Sequence, residues 1–122
     1  MVTYKNEIDY RDLVPRKNGF VFKFVKIEND FIHTYIEGEL IKKANITPSM
    51  VIGKTLFDFL PEKHAKQKQD FYEMAWNGTP VNYEGTLAGI TYLASLSPTI
   101  LNSRVVEVNG TAIDITMEKK NE

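Results

Sequence analysis

Apolar and polar residues alternate along several stretches of this chain at the two-residue spacing of a half-buried strand, and over one stretch they follow a helical spacing instead. Phe20-Val21-Phe22-Lys23-Phe24-Val25-Lys26-Ile27 is aromatic and β-branched, and after the turn signal Glu28-Asn29-Asp30 comes a second such run, Phe31-Ile32-His33-Thr34-Tyr35-Ile36. Two strands with so tight a connection predict a hairpin. Val81, Tyr83, Gly85 and Leu87 alternate with Asn82, Glu84 and Thr86, and a further strand is predicted from Ile90 to Leu96, ending before Ser97-Pro98. The last strand-like run extends from Arg104 to Thr116. It is rich in Val and Ile, and Asn109-Gly110 is expected to interrupt it as a bulge or tight turn.

Between the two groups of strands the pattern breaks into short pieces. Glu39 to Ala44, a turn opened by Thr47-Pro48, and Leu56 to Leu60 predict short helices, with Asp58 capping one of them. Pro61 stands where a first helical turn accepts it, Glu62 to Trp76 is rich in helix formers, and Asn77-Gly78 supplies the stop. In this long helix Phe71, Tyr72, Met74, Ala75 and Trp76 form a wide apolar arc, while Lys63, Lys66 and Lys68 are expected to keep the first half in solvent. This order of elements predicts an α+β domain: a five-stranded antiparallel sheet with short helices and one longer helix packed on one face. Ahead of it, residues 1–18 read as a cap segment, with Ile8, Leu13 and Val14 among charges before Pro15. Thr116 followed by Met117-Glu118-Lys119-Lys120 offers an N-cap and then helix formers, acid before base. Residues 117–122 therefore read as the start of a helix leading to a further domain.

The 122 residues, 43% hydrophobic and 25% charged, suffice for one domain that buries a core without metals or disulfides. With 15 Lys+Arg against 16 Asp+Glu the chain has no field to hold nucleic acid or an anionic membrane, and neither is expected as a partner. The absence of cysteine removes disulfides, thiolate metal sites, cysteine nucleophiles and any flavin photoreceptor that depends on an adduct-forming thiol. No run is long enough for a membrane helix and the opening residues are not a signal peptide, so a cytoplasmic setting is expected, whatever membrane association a parent protein has elsewhere.

Several residues, taken together, resemble a known family. Asn45 and Gly53-Lys54 in the helical middle, Leu56-Phe57-Asp58-Phe59-Leu60-Pro61 entering the long helix and Trp76-Asn77-Gly78 leaving it are the earlier markers. Glu84-Gly85, Leu96-Ser97-Pro98, Val106-Glu107-Val108-Asn109-Gly110 and Asp114-Ile115-Thr116 are the later ones. In order and spacing they are similar to the markers of PAS domains, and the resemblance covers residues 19–116. It implies a sensory or dimerising module of bacterial signal transduction placed before a transmitter. The transmitter would be the histidine kinase of a two-component system, with a diguanylate cyclase or phosphodiesterase as the alternative and a ligand-free dimerisation scaffold as a further one. A homodimer, a covalently linked output domain and an unidentified small-molecule ligand are the partners so implied.

In such a domain a ligand would lie between the sheet and the helical middle. Phe71, Met74, Ala75, Tyr83, Tyr92, Ala94 and Ser95 are the residues expected to line the pocket, a set that a plainly filled core would also explain. Signal transmission is assigned to Asp114 and Thr116, at the joint between the last strand and the helix after it. Haem-binding PAS domains carry an axial histidine on the equivalent long helix. Counting back from Asn77-Gly78, the matching position is Gln67, and His64 lies almost one turn earlier, so haem is not expected. His33 shares a strand face with Phe31 and Tyr35 and is expected to pack or hydrogen-bond rather than ligate. Asp58, Glu84, Glu107 and Asp114 could each act as a base and Tyr83 or Tyr92 as a donor, as in small isomerases, but nothing in the sequence clusters them. No catalytic residue, metal or cofactor is predicted, and the fragment is not expected to be an enzyme.

Overall fold

The computed structural model describes residues 18–120. The expected N-terminal cap, apart from Asn18, lies outside the described residues. Strands β1 (Gly19–Ile27), β2 (Asp30–Glu37), β3 (Val81–Leu87), β4 (Ile90–Leu101) and β5 (Arg104–Asp114) form a 5-stranded antiparallel sheet in the order β2-β1-β5-β4-β3. Helices α1 (Glu39–Lys43) and α2 (Glu62–Trp76), with 3₁₀ turns at Pro48–Met50 and Leu56–Asp58 between them, connect β2 to β3 and pack on one face. A short α3 (Thr116–Lys120) follows β5. This is the α+β architecture that the hydrophobic pattern predicts. Among the described residues no helix is long and apolar enough to cross a membrane.

The face beneath the helices is aromatic at its flanks and small at its centre. Phe20, Phe22 and Phe24 of β1, Phe31 of β2, Tyr83 of β3 and Tyr92 of β4 are all buried, whereas the central β5 contributes Val108, Gly110 and Ala112. Gly110 stands opposite Phe22, and a Cβ there would come within 2.2 Å of the phenyl ring. The glycine lets the ring lie across the strand. Asn109-Gly110 is therefore neither a turn nor a bulge, and β5 runs through it unbroken. The turn falls instead at Asn102-Ser103, whose φ angles of 52° and 64° suit the two-residue hairpin between β4 and β5. The bulge falls at Val106, since Thr99 pairs with Glu107 and Ile100 with Val105. Gly85 serves Tyr92 as Gly110 serves Phe22: a Cβ at Gly85 would approach the Tyr92 hydroxyl to 2.5 Å.

Two further departures from the sequence pattern have local causes. β4 continues through Ser97-Pro98 to Leu101 rather than stopping before them. Thr91 turns its N–H and C=O towards the β5 side, and alternation turns those of Pro98 to the other side, where β3 pairs no further than Leu96. The missing proline N–H therefore breaks no ladder bond. On β2, Lys23 pairs with Tyr35 and Phe24 with His33, which leaves Thr34 as the additional residue of a bulge. The bulge reverses the alternation beyond it. Phe31, His33 and Ile36 face the core while Tyr35 is exposed, so Tyr35 does not share the face of His33.

Helix α2 buries Ala65, Lys68, Tyr72 and Ala75, a stripe with successive spacings of three and four residues. Lys63 and Lys66 are exposed as their type suggests, but Lys68 lies on the inward stripe and is only 7% exposed. That corrects the expectation of a solvated lysine face. The helix ends in a Schellman motif: Gly78, at φ 101°, donates its N–H to the Ala75 carbonyl at 3.0 Å, and Thr79 donates to the Met74 carbonyl at 3.0 Å. Asp58 caps its 3₁₀ turn, accepting from the Thr55 N–H at 2.8 Å and the Thr55 hydroxyl at 3.2 Å.

Candidate functional site

A cavity of about 140 Å³ lies between the sheet and the helical segment. Phe20 and Phe22 from β1, Ile36 from β2 and Ile41, Val51 and Leu56 from the helical segment give it an apolar wall. Its polar lining is His33, Lys68, Tyr72, Tyr83 and Tyr92 beside Thr86, and these groups divide into two sets by what they bond to.

The first set is satisfied by the protein. Gly53, in the left-handed region at φ 84°, donates its N–H to the His33 carbonyl at 2.7 Å, and the His33 N–H donates to the Lys54 carbonyl at 3.0 Å. The imidazole Nδ1 lies 2.8 Å from that same carbonyl, and Nε2 lies 2.8 Å from the Tyr72 hydroxyl. A carbonyl can only accept, so Nδ1 carries the proton and Nε2 accepts from the tyrosine. Burial lowers the pKa of His33, partly offset by the Lys54 carbonyl, which suits a neutral ring in these roles. Tyr72 stacks on Phe24 with ring centroids 3.9 Å apart. His33 thus ties β2, the Gly53-Lys54 turn and α2 together.

The second set is not. Lys68 holds its ammonium 5.8 Å from the centroid of the Tyr83 ring, which Phe71 backs by stacking at 4.7 Å. Among the described residues Lys68 has neither a carboxylate nor a hydrogen-bond acceptor, and the hydroxyls of Tyr83 and Tyr92 have no hydrogen-bond partner. Burial lowers the pKa of Lys68. Burial, with Tyr92 nearby, raises Tyr83 beyond the phenol range, and burial pushes Tyr92 up to about 12. Both phenols are therefore protonated donors at neutral pH.

A second constellation lies at the end of β5. Thr116 donates its N–H to Asp114 Oδ1 at 2.9 Å, and its Oγ1 accepts from the Thr91 N–H at 3.0 Å. Ile115 donates to the Thr91 carbonyl at 2.8 Å, and Asp114 donates its N–H to the Asn18 carbonyl at 2.8 Å. Burial pushes the Asp114 carboxyl up, but the bonds from Thr116 and the charge of Lys43 outweigh it and hold the group below its ordinary value. Lys119 of α3 reaches Glu84 of β3 at 3.3 Å.

No protein-family model matches the sequence, and no curated protein matches it detectably. Solved structures do. The chain is similar to the PAS domain of BvgS from Bordetella pertussis, with a TM-score of 0.63 and 18% identity, covering 92% of this chain and 88% of that one. The fold is that of a PAS domain. The same PAS fold relates the chain to a domain assigned to a light and redox sensing histidine kinase from Haloarcula marismortui (TM-score 0.62, 17% identity, 88% of this chain and 97% of that one). It also relates it to the N-terminal domain of a diguanylate cyclase with a PAS/PAC sensor from Marinobacter aquaeolei (TM-score 0.58, 14% identity, 83% of this chain and 98% of that one). At these identities the likeness is one of fold.

Within this PAS fold the residues singled out from the sequence fall in different places. Tyr83 and Tyr92 face the cavity. Phe71 stands behind Tyr83, Ala75 and Ala94 are fully buried in the core, and Met74 is 47% exposed. Ser95, between the buried Ala94 and Leu96, belongs to the opposite face of the sheet. Asp114 and Thr116 meet in one hydrogen-bonded joint. His64 and Gln67 are both exposed on α2. The acidic residues considered as bases are engaged separately: Asp58 with Thr55, Glu84 with Lys119, Glu107 with Lys23 and Asp114 with Thr116. Among the described residues no group of His, Cys, Asp and Glu could hold a metal ion. Sequence reasoning did not place His33, Lys68 and Tyr72 at the cavity. For Lys68 and Tyr72 a signal existed, the three-and-four spacing that links them to Ala65 and Ala75.

Proposed function

We propose that this PAS domain is a cytoplasmic sensor and dimerisation module that regulates an output domain joined beyond α3. The output domain is a two-component histidine kinase, or alternatively a diguanylate cyclase or phosphodiesterase. The observation that carries the reading is the short path from cavity to joint. Tyr92 lines the cavity, and its chain neighbour Thr91 holds both Ile115 and Thr116. A guest that engages Tyr92 loads the start of β4 and with it the first residue of α3, biasing two arrangements of the helix that follows.

An apolar protein cavity of about 150 Å³ takes up benzene, so the volume here suits a guest with a single ring; a porphyrin or the tricyclic ring of a flavin exceeds it. On the sheet face turned away from the helices, Leu93 pairs with Ile113, and they are 40% and 44% exposed. This apolar pair supports a homodimer formed on that face. The module itself acts without catalysis, by coupling occupancy to geometry.

The test is made in the protein that carries the output domain. Asp114→Ala and Thr116→Val are each expected to reduce the signal-dependent change in output at least about fivefold, the lower end of usual coupling between sites. Unaltered output and unaltered regulation in both variants would reject the joint as the route.

A further inference from the structure

The polar lining of the cavity has a definite chemical sense. Its satisfied members, His33 and Tyr72, answer each other and Lys54. Its remaining members, beside Thr86, carry donors that nothing among the described residues answers: the ammonium of Lys68, a residue 7% exposed, and the hydroxyls of Tyr83 and Tyr92, residues 7% and 6% exposed. Among the described residues the buried polar and charged side chains are His33 and Lys68, so no buried carboxylate answers the lysine. The Tyr83 ring beneath Lys68 offers the cation only its π face, at 5.8 Å. A buried cation without a counter-charge is costly, and a buried donor that makes no hydrogen bond is costly in the same way. The walls around it are phenyl and aliphatic.

We infer that the cavity takes a compact monocarboxylate with an apolar, single-ring body, its carboxylate bound by Lys68 and the hydroxyls of Tyr83 and Tyr92 and its body seated against Phe20 and Phe22. This rests on the reading of the cavity as a ligand site and names the class of ligand. The carboxylate supplies both the missing charge and the missing acceptors, and charge-assisted bonds of this kind are about twice as strong as neutral ones. The backing of Tyr83 by Phe71 and the seating of Tyr92 over Gly85 fix the two phenols before the guest arrives.

Benzoate and toluene, which share a ring and differ in the carboxylate, separate the possibilities. Binding of each to the 122-residue chain is measured by calorimetry and by shifts in the ring signals of Tyr83 and Tyr92, in buffer without carboxylates. Benzoate is expected to bind at least about tenfold more tightly than toluene. In Lys68→Met, benzoate should weaken by about tenfold or more while toluene stays within about threefold of wild type, the toluene result also showing that the variant keeps its cavity. Toluene bound as tightly as benzoate, or benzoate bound equally by Lys68→Met, would overturn the carboxylate assignment and leave the ligand site standing. If neither guest binds the wild-type chain, the assignment and the ligand site fall together.

Discussion

The two walls of the cavity are built from the same kinds of side chain and differ in what their polar atoms meet. On the wall formed by β2 and α2, the Tyr72 hydroxyl, both ring nitrogens of His33 and the Lys54 carbonyl make a closed run of hydrogen bonds beside the stacked Phe24. On the wall formed by β3, β4 and the first half of α2, Tyr83, Tyr92 and Lys68 end without such partners among the described residues. A buried tyrosine belongs to the scaffold when the protein answers its hydroxyl, and is available to a guest when the protein does not. Residue type alone does not distinguish the two.

The strongest way to break this comparison is at His33. His33→Ala leaves the Tyr72 hydroxyl without a partner, takes from the Lys54 carbonyl one of its two donors and opens a cavity, and it should cost about 3 kcal/mol in urea unfolding. A loss no greater than that of Tyr92→Phe would place both walls on the same footing. The folded pKa of His33 is lowered from 6.5, so the unfolded chain takes up a proton first as the pH falls. The stability held by the neutral ring is intact above about 6.5 and declines as the pH falls towards the folded value, and that part of the pH profile should vanish in His33→Ala. A matched pair sharpens the contrast. Tyr72→Phe strands the buried Nε2 of His33 and should cost about 1–2 kcal/mol, whereas Tyr92→Phe, with no bond to lose, should stay within about 0.5 kcal/mol of wild type. One effect has the opposite sign. Lys68→Met removes an unpaired buried cation and should raise stability by about 1 kcal/mol at neutral pH. Because the folded pKa of Lys68 is lowered from 10.5, wild-type stability should rise with pH between the folded value and 10.5, and thermal unfolding of Lys68→Met should lack that rise.

Much of the architecture was legible because the strands and helices carry the period of the structure they adopt. The alternation of Val81, Tyr83 and Gly85 places Tyr83 inward, and Asn77-Gly78 marks the end of α2. What escaped depends on residues distant in sequence. The partners of His33, Lys54 and Tyr72, are 21 and 39 positions away, so its hydrogen bonds leave no local signature. The Thr34 bulge that turns Tyr35 outward is set by the pairing of β2 with β1. Gly110 looks like a turn residue until Phe22 is laid over it. Lys68 is a different case, because its phase was visible between Ala65 and Tyr72, and its charge suggested a solvated position that the phase contradicts.

Pro98 carries a last consequence. Among the described residues no strand pairs with the β3 side of β4 past Leu96, and the overhang ends in Ile100 and Leu101, 58% and 60% exposed. An unpaired, greasy strand edge is a template on which a neighbouring chain can add itself and begin an aggregate. Pro98 presents no N–H to such an incoming strand and sets its ring in the path of the ladder. The residue that the open edge tolerates is therefore also the one that keeps the edge from growing.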